Sequence, residues 1–317
     1  MRFTEHFNSP NRFFSKANTF VYELDFRRVK VQANSLQVFP QEISLLSTAV
    51  RVAGPALTWI RDTRDSPMDA HRGTYTAFQE FLSDKIFGAQ AGFNRLDISN
   101  SSYYTFGKAR YVLARNTRYG QERAFGTPSE ELIPLPERLY AGGATSLRGF
   151  SINAAGPRDP QTGYPIGGAG ALINSTELRL PPPTLPWFSN TLSFVIFHDM
   201  GNIFTNASDA WASALRVHQP DRDTCKIIPA TSLNVPPPSG PPTSTGQQGQ
   251  CSFNYFSHAI GTGLRYHTPA GPIRLDFSYN LNTPIYPVIY NYSNPSAPTT
   301  VGEANHFNFF FSLGQTF

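Results

Sequence analysis

The last part of the chain alternates apolar and polar residues with a period of two. Ile273, Leu275, Phe277, Tyr279 and Leu281 fall on one face, and Arg274, Asp276, Ser278 and Asn280 on the other. Successive side chains of a strand point to opposite sides of a sheet, so this pattern predicts a strand with one apolar and one polar face. The final segment repeats it. Phe307, Phe309, Phe311, Leu313 and Phe317 share one face, interrupted by Gln315. His306, Asn308, Ser312, Gly314 and Thr316 share the other, with Phe310 as the exception. A soluble protein ending in such an exposed aromatic strand would risk edge pairing and aggregation.

Further strands are expected near 20–31, 47–62, 73–83, 91–106, 109–120, 170–180, 191–204 and 256–268. Residues 1–7 read as the end of an earlier strand. The total is about ten or eleven, with no helical stretch longer than two turns. The connections alternate in length. Asp62–Arg72, Gly107-Lys108, Pro181–Pro186 and Pro269–Pro272 are short, whereas 121–169, 205–255 and 282–305 are long. Short turns at one end and long extracellular loops at the other mark a transmembrane barrel.

Composition narrows the choice among a secreted sandwich, a soluble β-rich domain and a membrane barrel. All-β barrels of this length, 317 residues, are routinely one domain. Charged residues are 15%, against roughly 25% in soluble proteins. Yet mean hydropathy is −0.31, and no apolar run of about 18 residues exists to form a transmembrane helix. A barrel accounts for both, because lipid-facing apolar residues alternate with polar lumen-facing ones. The net charge of +4 comes without a basic, aromatic-interleaved run, so nucleic acid is not an expected partner. Met1 is followed by no apolar core of a signal peptide. Either the mature protein begins elsewhere or the chain is a fragment, and the fragment is favoured. Cys225 and Cys251 flank a Pro/Gly/Ser/Thr-rich stretch. A disulfide is favoured over two free thiols.

Four segments carry more specific information: Gly142–Phe150 (GGATSLRGF), Asn174–Pro181 (NSTELRLP), Phe197–Phe204 (FHDMGNIF) and Gly261–Phe277 (GTGLRYHTPAGPIRLDF). In this order, and with the closing FSLGQTF, they resemble the barrel of the bacterial surface-antigen superfamily, the BamA-TamA group of outer-membrane assembly factors. The resemblance covers roughly residues 50–317. It implies an all-β, antiparallel transmembrane β-barrel in the bacterial outer membrane. Family barrels have about sixteen strands behind periplasmic POTRA repeats, so an N-terminally truncated barrel is expected here.

The resemblance also implies a mechanism and its residues. The Arg148-Gly149-Phe150 tip would fold back into the lumen, and Arg148 would pair with Glu177 and Asp199. A guanidinium is a planar, always-charged fork suited to carboxylates, and Gly149 would permit the tight turn that aims it inward. The last strand, with Phe309, Phe311, Leu313, the kink glycine Gly314 and the terminal Phe317, would form a weakly paired lateral seam that serves client outer-membrane or secreted proteins. The lipid bilayer and accessory periplasmic lipoproteins are the other implied partners. The alternative is a passive porin-like channel or surface antigen on the same barrel.

No enzyme is expected. There is no Gly-x-Ser-x-Gly elbow, P-loop or His-Glu-x-x-His. Gly261-Thr262-Gly263 lacks a following helix pattern, and His198 and Asp199, as strand neighbours, should face opposite sides. No cofactor or metal is implied. The alternating charges of Arg61–Pro67 read as a structural turn.

Overall fold

The computed structural model describes residues 2–6, 17–32, 48–108, 111–125, 133–158, 163–181, 192–220, 222, 225, 251–268, 271–289 and 299–314. The strands are β1 (Arg2–His6), β2 (Asn18–Val29), β3 (Val50–Asp62), β4 (Gly73–Ser83), β5 (Phe93–Phe106), β6 (Tyr111–Ala124), β7 (Gly170–Leu180), β8 (Leu192–Phe204), β9 (Ser257–Thr268), β10 (Gly271–Asn280), β11 (Ile285–Ile289), β12 (Thr299–Glu303) and β13 (Phe307–Leu313). Eleven of them build one sheet in the order β1-β2-β3-β4-β5-β6-β7-β8-β9-β10-β13. Every neighbouring pair is antiparallel. Among the described residues β1 and β13 are its edges and do not pair with each other. The fold is the all-β, antiparallel architecture that the period-two pattern predicts.

The alternation sorts the two faces. On β10, Arg274, Asp276, Ser278 and Asn280 are buried, while Phe277 and Tyr279 are exposed. On β13, Phe307, Phe309, Phe311 and Leu313 are 57–79% exposed, a level that suits lipid contact rather than water. Ring contacts run across these strands, with Phe277 and Phe309 centroids 4.9 Å apart.

The inner face is covered by the connection between β6 and β7. Leu139, Ala141, Leu147, Phe150 and Ala155 pack against Ala171 and Ile173 of β7 and Ile203 of β8. A second cluster joins Ile133 and Ala169 to Val52, Phe81 and Phe93 of β3, β4 and β5. The hydrophobic core therefore lies between this loop and the wall, not between two layers of sheet.

Three local findings refine the sequence reading. The stretch 282–305 was expected as a plain loop, but it contains the two-stranded β11–β12 hairpin. Gln219 holds that hairpin by bonding both the N–H and the carbonyl of Ile285. Cys225 and Cys251 form a disulfide, and the buried Cys225 sits against the Ile285 carbonyl. In the β3–β4 turn, Arg64 folds onto Asp62 with bonds of 3.0 and 2.9 Å, and Asp65 accepts from three backbone N–H groups. Burial pushes the Asp65 carboxyl up, but the N–H groups of His71 and Arg72 outweigh it and hold the group below the usual carboxylate range.

Candidate functional site

Arg148 is fully buried at the centre of an ion cluster on the inner wall. Its Nε donates to Asp199 Oδ2 and its Nη2 to Asp199 Oδ1, both at 2.7 Å. This is the bidentate fork-to-carboxylate geometry that combines charge with direction. Nη1 donates to Glu177 Oε1 at 2.6 Å, and Nη2 also reaches Ser175 Oγ at 3.0 Å. Even the backbone N–H of Arg148 is bound to Asp199, at 3.0 Å. The guanidinium carbon lies 3.4 Å from the Phe197 ring centroid, so the cation also rests on an aromatic face.

Parity places these partners. Ser175 and Glu177 are two apart on β7, and Phe197 and Asp199 two apart on β8, so each pair shares the inner face. His198 points the other way and stacks on His258. The structure thus brings together Arg148, Glu177 and Asp199, and separates His198 from Asp199.

Sequence reasoning missed the other half of the cluster. Asp276 on β10 lies 3.7 Å from Arg148. It accepts from Arg265 Nη1 through Oδ1 at 2.5 Å and from Arg274 Nη2 through Oδ2 at 2.8 Å. Arg265 and Arg274 are directly opposite each other on β9 and β10, and both are buried. Arg274 also donates to the loop carbonyl of Ala144 at 3.0 Å. The signal was present in the alternation, which puts Arg274 and Asp276 on the face shared with Ser278 and Asn280. Nothing in the sequence gave their distance to Arg148.

The backbone of the loop tip is held as firmly as its side chain. Ser278 Oγ donates to the Arg148 carbonyl at 2.5 Å. Asn280 and Asn308 donate to the Gly149 carbonyl at 2.9 and 3.2 Å. One tip therefore touches β7, β8, β10 and β13. Gly149 is required for a different reason than expected. Its φ is not in the left-handed region, which Gly142 and Gly143 occupy instead. A Cβ on Gly149 would meet the Ala259 methyl at 2.9 Å and the Asn280 amide at 3.1 Å, so the residue serves close approach to the wall. Phe150, also buried, packs in the core under the loop.

A second attachment reverses the polarity. Glu137, in a short 3-10 turn (Leu135–Glu137) of the same loop, is held by wall arginines. Arg27 of β2 donates to it at 3.0 and 2.6 Å. Arg95 of β5 donates to its side chain at 3.0 Å and also to its carbonyl, while pairing with Glu122 of β6. Burial pushes the Glu137 carboxyl up, but the hydrogen bonds and charges of Arg27 and Arg95 outweigh it and hold it below the usual carboxylate range. A depressed folded-state pKa contributes stability above the unfolded value of about 4.3 and loses it as pH falls through the lower folded value. Protection of residues 133–139 against hydrogen exchange should therefore fall as pH drops below about 4, and Glu137→Gln should remove that pH dependence.

The remaining residues of interest lie at the sheet edge. β13 pairs with β10 over its full 7 residues, against 14-residue strands for the β5–β6 pair. Phe309, Phe311 and Leu313 point outward. Gly314 has φ +87°, and a Cβ there would meet nothing within 4 Å; the glycine answers to backbone conformation, not to crowding. Phe317 lies outside the described residues.

The whole arrangement agrees with a model of the Omp85 superfamily domain, which matches residues 6–317. The chain belongs to the Omp85 superfamily. Among curated proteins, the outer membrane protein assembly factor BamA of Nitratidesulfovibrio vulgaris is 32% identical over 159 residues, which are 49% of this chain and 19% of that protein. A SAM50-like protein of Schizosaccharomyces pombe is 31% identical over 130 residues, 40% of this chain and 26% of that one. The crystal structure of BamA from Haemophilus ducreyi lacking POTRA domains 1–3 superposes with a TM-score of 0.58 at 16% identity. That match covers 93% of this chain and 51% of the solved one, so it speaks for the fold. This Omp85 chain spans about half the length of the solved relative and a smaller share of the curated ones. As a member of this family it is an outer-membrane β-barrel protein.

Proposed function

We propose that this Omp85 barrel is the membrane domain of a factor that assembles or translocates client proteins. Its long loops face the cell exterior, and its β13 edge serves as a lateral seam. In hydrocarbon an unpaired strand edge has no water to satisfy it. A seam that offers its own backbone to an incoming client strand lowers the barrier to insertion by strand addition. No nucleotide or metal enters this mechanism, and the reading is non-enzymatic. Client outer-membrane or secreted proteins and accessory periplasmic lipoproteins are the partners it implies.

The observation that carries the reading is the Arg148 cluster. It ties a loop tip to β7, β8, β10 and β13 at once. In this proposal Arg148, Glu177 and Asp199 act as a loop lock that keeps the last strands in register while the seam beyond them works. The passive-channel alternative is weakened by the same loop, because its apolar side chains fill the inner face against β7 and β8. The test is reconstitution of the full-length protein in liposomes with an unfolded client barrel. Faster client insertion than in empty liposomes supports assembly. Steady conductance that is indifferent to client, with no gain in insertion, supports the channel.

A further inference from the structure

A lipid-facing barrel surface should be apolar between its two aromatic girdles. The sector formed by β8, β9, β10 and β13 obeys this with Phe194, Ile196, Ile260, Phe277 and Phe309, apart from Thr262 and the stacked His198–His258 pair. The sector formed by β5, β6 and β7 does not. Glu122 and Glu177 face inward, so the alternate residues of the same strands face out. At mid-height they are Asn100 and Ser102 on β5, where Ser101 and Tyr103 are the buried neighbours, Arg115 and Thr117 on β6, and Asn174 and Thr176 on β7, with the apolar Ile98, Leu113 and Leu178 above and below.

These six are contiguous. Ser102 and Thr176 flank Arg115 in direct register, and Asn100 and Asn174 flank Thr117. Asn174 donates to Thr117 Oγ1 at 2.7 Å, and Asn100 to Thr76 Oγ1 of β4 at 2.8 Å. The aromatic rings fix the height. Tyr104, Phe106 and Tyr111 stack at the short-turn end, and Tyr119 meets Trp211 at the other. Arg115 lies on β6 midway between Tyr111 and Tyr119. It is exposed, and among the described residues it has no ion-pair partner. Mid-height is the costliest depth for an arginine facing lipid.

We propose that this sector is buried against a second copy of the chain, side by side in the membrane. The patch suits itself. Amide and hydroxyl groups both donate and accept, so two identical surfaces can satisfy each other, and two-fold contacts are the commonest kind. A two-fold axis along the membrane normal between β5 and β6 sets Arg115 against Asn100 and Ser102 of the copy, whose side-chain oxygens accept. The two Arg115 groups then lie on opposite sides of the axis instead of meeting. Lipid is excluded from the polar stripe, and the apolar β8–β13 sector stays free on the far side.

The test is thiol cross-linking of full-length Thr117→Cys protein in its own outer membrane. Cys225 and Cys251 are joined to each other, so the new thiol is the only free one in this chain. Mild oxidation should give a covalent product of twice the protomer mass. Ile196→Cys, on the apolar face, should give none. Adding Arg115→Leu and Asn100→Leu to Thr117→Cys should cut the product about tenfold, the equivalent of roughly one good polar contact. Monomer alone, equal yields at the two positions, or a product with a protein of different mass would each overturn the second-copy interface.

Discussion

Arg148→Ala should destabilise the barrel by about 3–5 kcal/mol, because it strands the buried Asp199 without its cation and leaves Glu177 only the longer contacts to Arg265 and Arg179, at 3.6 and 3.7 Å. Asp199 would lose the Nε and Nη2 fork and Ser175 its bond from Nη2, leaving Asp199 only the backbone N–H of residue 148 and the Ser175 hydroxyl. Glu177 would lose its 2.6 Å bond. The loss is more than electrostatic. The Arg148 and Gly149 carbonyls anchor Ser278, Asn280 and Asn308, so a displaced tip also deprives β10 and β13 of inner-face partners. Denaturant unfolding in detergent should show the shift, and limited proteolysis should cut within 139–155 in the variant only. Arg148→Lys keeps the charge but cannot reproduce the fork, so it should fall between the two. A variant as stable and as protease-resistant as the parent would remove the loop lock.

Asp276→Asn should cost a similar amount, again about 3–5 kcal/mol, for the opposite reason. Asp276 stands between two buried guanidinium groups placed directly across β9 and β10. Without its charge, Arg265 and Arg274 become like charges in a cross-strand pair, which is destabilising. A compensating change separates this account from a simple packing defect. Arg274→Gln added to Asp276→Asn removes one of the two cations, so the double variant should be more stable than Asp276→Asn alone. If the two losses simply add, the carboxylate is not acting as the shared counter-ion.

The strands were the legible part of this protein. A period of two on Ile273–Leu281 is enough to separate Arg274 and Asp276 from Phe277 and Tyr279, and the same alternation on β13 puts Phe307, Phe309 and Phe311 outside. Polar residues on the inner face were legible too, but not what they met. Arg148 and Asp276 are far apart in sequence, and only the return of the loop brings them to 3.7 Å. The role of Glu137 was not legible, because Arg27 and Arg95 lie on strands that nothing local connects to it. The β11–β12 hairpin escaped for a related reason. Its strands are five residues each and include Pro287, and their order depends on Gln219, Arg222 and the Cys225–Cys251 bond outside the segment. Gly149 shows the limit of motif chemistry. A glycine beside an arginine suggests a left-handed turn, whereas here the space against Ala259 and Asn280 decides.

The most direct measurement is the rate of client insertion by the full-length protein in liposomes, with parent and Arg148→Lys compared at equal amounts of folded barrel. The parent should accelerate insertion, and Arg148→Lys, although folded, should lose much of that acceleration because its loop tip no longer holds β10 and β13. Equal acceleration by the two proteins, with the loop of the variant shown to be released, would contradict it.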